Sequence, residues 1–540
     1  MERVVIVGSG ASGVHFALSV LKKGYDVVIL DVGYAKPKPV NVADSFPELK
    51  SNLEDPVAYF LGQRFEGVVY PGSEAEFYTK YYGFPPNKSY VFSKSPTMDF
   101  TARGFEPLLS FARGGLAEAW TAGVYPFNNG ELQEFPFDYE DIEPHYAEVS
   151  KRIGITGARD DLAEFYPYHA NLRAPLRLDE HSALLLATYE TRKEKLRSKL
   201  KCAVGRSRVA TLSTDLDSRK GCQYCGRCLW GCPVDSIYTP STTLRECLTY
   251  PNCTYVPNMH VSHFEYDERG RVRSLVAESL EDRTQRPIEG DRFVLAAGNL
   301  SSCKIYLDSI LRHSGEIVKL TGLMDNRQVL VPFINLKMVG KTYDPSNYQY
   351  QQLAIGIESD NAQEYVHGQI TTLKSTLAHP IIQSMPLDLK TGIFMFRNLH
   401  ASLGVVNLSF PDTRRETNYV TLQAEPGAER SKLIINYTAA RTEKAVMKRA
   451  VRRVKKLLWG LGCVAPPGMV HVRPMGASVH YAGTLPMSTV RKPHTMSKHC
   501  QSHNFENLYV VDGAGFPFLP AKNVTFSLMA NAVRVAETVF

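Results

Sequence analysis

A glycine-rich turn near the start of the chain restricts its fold more than any other feature. A short apolar run precedes the turn, an amphipathic helix pattern follows it, and a second apolar run then ends in an acid. The residues concerned are 4–7, Gly8, Gly10, Gly13, 27–30 and Asp31. Such glycines let the backbone approach a pyrophosphate at a helix N-terminus, and the acid can accept from a ribose hydroxyl. The pattern predicts dinucleotide binding; an ordinary βαβ unit is the alternative, and the motif does not separate FAD from NAD.

The composition is that of a globular protein with more than one core. The chain has 540 residues, of which 44% are hydrophobic and 22% charged, and this length predicts two or more lobes. The net charge of +7 is spread along the chain, so we expect no nucleic-acid partner. No leader pattern follows Met1 and no apolar run could span a bilayer, so we expect a cytoplasmic protein without a transmembrane segment.

Three further stretches resemble the glucose–methanol–choline (GMC) oxidoreductase family. One is the apolar run 293–296 followed by Ala297-Gly298, and another is a C-terminal unit with Asp512-Gly513, a Pro-rich loop and an amphipathic helix. The third is "FARGGLAEAWTAGVYPFN", which is rich in small residues. The resemblance covers both ends of the chain, is weak over about 330–465, and is greatest to the pyranose oxidase-like branch. It implies FAD as the cofactor.

The resemblance also assigns cofactor contacts to specific positions. In the pyranose oxidase branch a GG-M-S-T-H-W-T segment carries a histidine that is linked covalently to FAD, and Ala119 stands at that place here. The resemblance therefore implies that FAD is held non-covalently. Beyond the N-terminal turn, it assigns to the cofactor Gly114, Gly115, Trp120, Thr121, Val261, Ala297, Gly298, Asp512 and Gly513.

A catalytic pair is implied in the same way. Oxidising an alcohol needs a base for the hydroxyl proton, and histidine suits this task because its pKa lies near neutrality. "SVHYAGTLPMS" resembles the family's H-x-x-G-T stretch and makes His480 the base. "PAKNVTFSLMANA" makes Asn523 the orienting hydrogen-bond donor, with Lys522 and Val524 where the family usually has small residues or proline. The alternatives are a buried histidine satisfied by backbone and an asparagine that supports a turn.

Four cysteines lie close together in "GCQYCGRCLWGCP". Cys222, Cys225, Cys228 and Cys232 have the spacing of an iron–sulfur ligand run. In two-cluster ferredoxins the fourth cysteine binds the other cluster, so a single centre needs Cys232 to fold back, a ligand such as Cys202 or Cys247, or three irons. The alternatives are reduced thiols in a loop near the flavin, and zinc. A cluster is consistent only with a dehydrogenase that exports single electrons.

The predicted fold is α/β, with a Rossmann-like FAD-binding lobe and an antiparallel-sheet substrate-binding lobe. We assign 1–330 to the FAD lobe, with inserted loops and part of the substrate lobe around 60–200, then 331–465 to the substrate lobe. Residues 466–540 complete the FAD lobe and carry the catalytic pair. The basic amphipathic helix pattern at 442–462 favours a core-facing apolar stripe over a membrane or acidic-partner contact. The tyrosine-rich segment 78–92 is either a cap on the active site or a plain surface loop.

These features together predict an FAD-dependent oxidoreductase acting on CH–OH groups, either an oxidase or a dehydrogenase. It takes a hydroxyl proton and transfers a hydride to flavin N5, and the branch resemblance favours a sugar or glycoside as the small-molecule substrate. The electron acceptor is O2, an electron-acceptor protein or a quinone. The alternatives are oxidation of a non-sugar alcohol or sterol, a flavin/iron–sulfur electron-transfer subunit, and a non-catalytic FAD-binding scaffold.

Overall fold

The computed structural model describes residues 1–63, 65, 85–95, 97–373, 382, 385–424 and 430–540. The α-helices in this part of the chain are α1 (Ala11–Lys22), α2 (Phe46–Asn52), α3 (Pro56–Leu61), α4 (Ser89–Phe92), α5 (Tyr139–Ile153), α6 (Glu180–Glu190), α7 (Lys193–Leu200), α8 (Pro240–Cys247), α9 (Asn299–Ser314), α10 (Leu389–Leu399), α11 (Glu443–Gly460) and α12 (Thr525–Val539). The predicted cap at 78–92 lies outside the described residues up to residue 84.

The strands alternate with these helices along the chain. They are β1 (Arg3–Val7), β2 (Asp26–Leu30), β3 (Phe100–Arg103), β4 (Ile155–Thr156), β5 (Leu172–Arg173), β6 (Cys202–Arg206), β7 (Cys253–Val256), β8 (Met259–Tyr266), β9 (Val272–Ser279), β10 (Gln285–Glu289), β11 (Arg292–Leu295), β12 (Lys319–Thr321), β13 (Gln328–Asn335), β14 (Leu353–Ile357), β15 (Val366–Thr372), β16 (Leu403–Ser409), β17 (Asp412–Thr413), β18 (Tyr419–Gln423), β19 (Lys432–Asn436), β20 (Cys463–Val464), β21 (His471–Val472), β22 (Leu508–Val510) and β23 (Phe518–Leu519).

A five-stranded parallel sheet forms the centre of the first lobe. Its order is β22-β11-β1-β2-β7, so strands from both ends of the chain and from its middle share one sheet. Val4, Val5 and Ile6 are fully buried, as expected for a parallel strand covered by helices. Helix α1 packs against α8 and α12. The antiparallel ribbon β10-β9-β8 follows β7 directly and brings Val261 to the same edge of the lobe.

A larger, mainly antiparallel sheet forms the second lobe. Its order is β20-β13-β16-β15-β14-β6, with β21 also paired to β13. Most of its strands come from the segment predicted to be β-rich, whereas β6 precedes that segment. A four-stranded sheet, β12-β18-β19-β3, adjoins these elements. The predicted α/β fold with an antiparallel substrate-side sheet is confirmed.

Helix α11 covers one end of the antiparallel sheet. Ala450, Val454 and Leu457 are buried along one stripe, and the helix packs against α7, β13 and β20. Its basic residues lie on the other side, where Trp459 is 70% exposed. The stripe of the basic amphipathic pattern therefore faces the core. Within the described ranges, the structure contains no helix whose length and apolar character would let it cross a membrane.

Candidate cofactor cavity and catalytic pair

The glycines of the N-terminal turn have two separate structural roles. Gly8 has a φ of +100°, and a Cβ there would lie 2.6 Å from the carbonyl oxygen of Ala296. A Cβ on Gly13 would lie 2.1 Å from the oxygen of Gly8, so this glycine lets α1 begin tightly against the turn. Gly10 lines a cavity and has no such contact, because a Cβ there would be 4.0 Å from Ala296. The turn therefore presents bare backbone and the N-terminus of α1 to the cavity.

This cavity runs along the ends of β1, β2 and β11 and past the ribbon β8–β9. Most of the residues predicted to contact the cofactor line it: Gly8, Gly10, Asp31, Gly114, Gly115, Val261, Ala297, Gly298, Asp512 and Gly513. They come from six separate stretches of the chain, which only this fold brings together. Their small size and exposed backbone suit an extended nucleotide ligand.

Asp31 is held at the end of β2 by neighbouring hydroxyl groups. Ser9 Oγ donates to its carboxylate, and the Tyr255 hydroxyl lies 3.3 Å from Oδ2. Burial raises the pKa of Asp31 to about 6, although these hydrogen bonds oppose the rise. Ser9 Oγ also accepts from the backbone N–H of Gly114 at 3.0 Å. Ser9 therefore joins the first glycine turn to the second, a role that sequence reasoning missed.

Asp512 closes the opposite side of the cavity. Its carboxylate accepts from Ser302 Oγ at 2.5 Å and from the backbone N–H groups of Gly298 and Ala514, each at 3.0 Å. Burial raises the pKa of Asp512 to about 6. These contacts join β22, the turn before α9 and the C-terminal segment, so a single side chain holds three walls of the cavity in place.

Three of the predicted cofactor residues lie outside the wall of this cavity. Gly13 is packed inside the turn, as described above. The Trp120 indole donates to the carbonyl oxygen of Tyr238 at 2.8 Å and borders a smaller cavity beside Cys228 and Cys232. The carbonyl oxygen of Thr121 accepts from Gln351 Nε2 at 2.9 Å, on the side of the antiparallel sheet. The structure therefore places Trp120 and Thr121 beside the candidate cofactor cavity and not in its wall.

His480 lies at the boundary between the cavity and the antiparallel sheet. Its neighbours Val479 and Tyr481 line the cavity, whereas His480 Nδ1 lies 3.0 Å from Asn326 Oδ1 on the side of the sheet. The side chain is buried, and burial, together with the positive charge of Arg473, lowers the pKa of His480 to about 4. The imidazole is therefore neutral at physiological pH and can accept a proton.

Asn523, like His480, lies outside the cavity wall between neighbours that line the cavity. Its neighbours Val524 and Thr525 line the cavity, and its own Oδ1 accepts from Gln369 Nε2 at 2.5 Å. Gln369 is on β15, two residues from His367, whose pKa is lowered by burial, by Lys522 and by His480. Asn523 therefore contacts β15, whereas His480 contacts Asn326 just before β13.

The sheet supplies polar groups that sequence reasoning did not assign to the site. Around Gly123 lie the amide groups of Gln351, Gln369 and Asn523. His367 is 1% exposed and its Nδ1 lies 2.8 Å from the Tyr365 hydroxyl, while Nε2 has no hydrogen-bond partner among the described residues. The sequence signal that could have indicated these groups was a run of polar residues in a segment otherwise suited to a buried strand.

The four clustered cysteines occupy a loop beside the smaller cavity. Within the described ranges, no three His, Cys, Asp or Glu side chains form a group that could hold a metal ion, so the geometry supports neither zinc nor the predicted iron–sulfur centre at Cys222, Cys225, Cys228 and Cys232. Burial raises the pKa of the Cys222 thiol to about 12 and also raises that of the Cys228 thiol, with a smaller contribution from the neighbouring thiols. All four cysteines are free of disulfides.

Comparison with known proteins bears on this geometry. A family model described as GMC oxidoreductase matches residues 414–532, the part of the chain that contains both His480 and Asn523. Residues 414–532 are thus similar to GMC oxidoreductases. The resemblance predicted from the sequence motifs is therefore confirmed.

The proteins similar to this chain over longer stretches are distant from it in sequence. The large subunit of fructose dehydrogenase from Gluconobacter japonicus is 22% identical over 314 residues, which cover 56% of this chain and 53% of that protein. The match thus spans about half the length of this curated relative. Pyridoxine 4-oxidase from Mesorbium loti superposes with a TM-score of 0.61 at 14% identity, covering 100% of this chain and 99% of that one.

Two other solved structures agree with this superposition. Formate oxidase has a TM-score of 0.61 at 12% identity and covers 99% of this chain and 98% of its own. An FAD-dependent oxidoreductase from Chaetomium thermophilum has a TM-score of 0.58 at 12% identity, with the same coverage. At these identities the likeness establishes a shared fold over 99–100% of this chain and nothing further.

Proposed function

We propose that this protein is an FAD-dependent oxidoreductase that oxidises a hydroxyl group of a polyhydroxylated substrate to a carbonyl. The observation that carries the proposal is the alternation at two separate loops. Val479 and Tyr481 face the cofactor cavity and His480 faces the sheet; Val524 and Thr525 face the cavity, and Asn523 faces the sheet. In this arrangement the proposed base His480 and the Asn523 amide lie between the cofactor cavity and the polar face of the antiparallel sheet.

The main cavity fits FAD. It combines a glycine turn at a helix N-terminus with two buried carboxylates, Asp31 and Asp512, at opposite sides. These groups suit a pyrophosphate and hydroxyl-bearing ribose and ribityl chains. When bound, FAD supplies the acceptor for the hydride that leaves the substrate carbon. Ala119 has no nucleophile, which supports non-covalent binding.

In this proposal His480 takes the hydroxyl proton and Asn523 orients the reacting oxygen. A neutral imidazole can accept a proton, and the lowered pKa of His480 keeps it neutral over the physiological range. Because Gln369 donates to Asn523 Oδ1, the Asn523 Nδ2 group remains to donate to a substrate oxygen. Proton removal and hydrogen bonding to the same oxygen make hydride loss from the adjacent carbon easier.

The polar surface of the sheet favours a sugar or glycoside. Gln351, Gln369 and Asn523 offer amide donors and acceptors within one small region, and His367 Nε2 is buried without a partner among the described residues. A buried polar atom without a partner is costly unless a ligand satisfies it. Substrate hydroxyl groups would satisfy these atoms, whereas a sterol or simple aliphatic alcohol would leave most of them unpaired. A sugar substrate also agrees with the similarity to the large subunit of fructose dehydrogenase.

Anaerobic flavin reduction tests the proposal directly. The holoenzyme is mixed with sugars, glycosides, aliphatic alcohols and a sterol, and bleaching of the flavin absorbance is followed. We expect sugars or glycosides to bleach the flavin and His480→Ala to remove this reaction while the protein stays yellow. His471→Ala, at an exposed histidine on β21, is the matched control and should react normally. Bleaching by aliphatic alcohols or the sterol alone would refute the substrate class, and rapid bleaching in His480→Ala would refute the base.

A second candidate is that the four-cysteine loop holds an iron–sulfur cluster, which would supply one-electron chemistry for an external acceptor. Supporting it, the backbone N–H of Gln349 donates to Cys228 Sγ at 3.5 Å. Donors of this kind stabilise cluster sulfurs, and the cysteines of a cluster bind separate irons rather than one ion.

Iron and acid-labile sulfide analysis of anaerobically purified protein tests this candidate. A cluster predicts about three or four irons per chain, lost in Cys228→Ser and kept in the control Cys253→Ser. Flavin-replete protein without iron would instead favour packed thiols and O2 as the acceptor. The cytoplasmic location remains a prediction in either case.

A further inference from the structure

We infer that Asn326 is a positioning residue that holds His480 as the tautomer protonated on Nδ1, so that Nε2 is the atom that accepts the substrate proton. The catalytic meaning of this inference rests on the proposed role of His480, whereas the tautomer itself does not. Asn326 lies just before β13. No sequence motif points to it.

The orientation of the Asn326 amide is determined by two backbone carbonyls. Its Nδ2 group donates to the carbonyl oxygen of Phe410 at 2.8 Å and to that of Pro520 at 2.9 Å. Both amide hydrogens are therefore used. Turning the amide by half a rotation would place Oδ1 against two carbonyl oxygens, where neither partner could donate. Oδ1 must consequently face His480.

An amide oxygen only accepts hydrogen bonds. Because His480 Nδ1 lies 3.0 Å from Asn326 Oδ1, the hydrogen of this bond belongs to Nδ1. In a neutral imidazole the other nitrogen then has the free lone pair. Asn326 is 1% exposed and His480 is 8% exposed, so bulk water does not compete for this contact. The proton of the substrate O–H therefore passes to Nε2, which gives an imidazolium held by Asn326.

The residue before Asn326 fixes the backbone that carries the imidazole. Asp325 accepts from the backbone N–H of Gly476 at 2.6 Å and from Ser478 Oγ. Ser478 Oγ in turn accepts from the backbone N–H of His480 at 3.0 Å. Two consecutive residues thus hold His480. Asp325 fixes its main chain through Ser478, and Asn326 holds its imidazole ring. This leaves the ring little freedom to turn Nδ1 toward the substrate.

Nitrogen NMR of the holoenzyme with ring-¹⁵N-labelled histidine tests the tautomer. The His480 signals are assigned by their absence in His480→Gln. We expect Nδ1 to show the protonated shift and Nε2 the unprotonated shift at neutral pH. A protonated Nε2 in the native protein would overturn the inference, and this measurement needs no variant at Asn326.

Two substitutions at Asn326 test the positioning role. Asn326→Leu removes the acceptor, and we expect both tautomers to appear and anaerobic flavin reduction to slow by about tenfold or more at unchanged FAD content. Asn326→Asp keeps an oxygen facing Nδ1 and should keep the native tautomer. Equal slowing in both variants with native tautomers in each would show a merely structural role and overturn the inference. If His480→Gln reduces flavin at the native rate, the proposed base fails while the tautomer result still stands.

Discussion

Lys522 and Glu131 form an ion pair in the interior of the protein, directly beside Asn523. Lys522 Nζ lies 2.5 Å from Glu131 Oε2, and the two side chains are 0% and 1% exposed. The same ammonium group donates to the carbonyl oxygens of Pro126 at 3.0 Å and Phe165 at 2.6 Å. Lys522 therefore anchors the loop of Asn523 to a distant part of the chain. The family resemblance implies a small residue at this position. A small side chain could not form the ion pair and the hydrogen bonds that Lys522 makes.

Lys522→Met should strongly destabilise the protein. Removing the ammonium leaves the Glu131 carboxylate buried without its partner, which costs about 3–5 kcal/mol. Denaturant unfolding of the flavin-loaded protein measures the change. Lys522→Met combined with Glu131→Gln should recover part of the loss, and Lys220→Met, at the exposed pair with Asp215, should have little effect. An equally small effect at Lys522 would contradict the anchoring role.

Asn523→Ala should slow flavin reduction while leaving FAD content unchanged. Loss of one hydrogen-bond donor to a reacting oxygen typically costs about 100-fold in rate. Stopped-flow absorbance with saturating sugar measures the rate, and Asn504→Ala, on the exposed surface, is the control. A native rate in Asn523→Ala would limit Asn523 to supporting its loop.

The pH dependence of flavin reduction should follow the lowered pKa of His480. Since burial places this pKa at about 4, the base stays deprotonated at neutral pH and becomes protonated only in acid. The rate of reduction should be level between pH about 6 and 8 and fall below pH about 5. By linkage, the stability that His480 contributes is present above its unfolded pKa and is lost as pH falls toward 4. A rate profile with its midpoint near the ordinary histidine pKa would contradict the burial argument.

The flavin should be released when the protein is denatured. Ala119 occupies the position at which the related branch attaches FAD through a histidine, and alanine cannot form that bond. Acid precipitation followed by centrifugation should leave the yellow colour in the supernatant. Colour retained in the pellet after washing would show a covalent link made by another residue.

Gly10→Ala and Gly13→Ala should fail in different ways. A Cβ on Gly13 would collide with the oxygen of Gly8 at 2.1 Å, so we expect a stability loss of about 3 kcal/mol. A Cβ on Gly10 is compatible with the φ of −67° at this position and with the structure of the protein without FAD. It would, however, project into the cavity. This variant should keep its apoprotein melting temperature and bind FAD about tenfold more weakly. Thermal denaturation and flavin titration separate the two effects, and equal stability losses would contradict the division of roles.

Much of the FAD-lobe fold could be predicted from local patterns. The turn at Gly8, the strand before Ala297 and the helix after Asn523 each have a signature within about 30 residues. The helix at α11 was also predictable, because its apolar spacing specifies a buried stripe. Iron–sulfur binding by Cys222 and its neighbours stays a prediction, because spacing alone does not show how a loop gathers its sulfurs.

The sheet side of the site could not be predicted. Asn326 meets His480 across 154 positions of chain, and Gln369 meets Asn523 across another 154. Such contacts depend on how two lobes dock, and amide residues in a β-rich segment have no distinctive pattern. The sequence does not distinguish His367 from the other histidines. Only the structure shows that its Nε2 has no hydrogen-bond partner among the described residues.

The alternation of His480 and Asn523 with their neighbours has a consequence for how such proteins diversify. The two residues proposed to perform the reaction come from the C-terminal part of the chain, but their hydrogen-bond partners Asn326 and Gln369 lie just before β13 and on β15 of the antiparallel sheet. Exchanging that sheet for another would therefore change which molecule is accepted and also how well the proton acceptor is aligned. New specificity in this architecture should accordingly require compensating changes near Asn326 as well as in the substrate contacts.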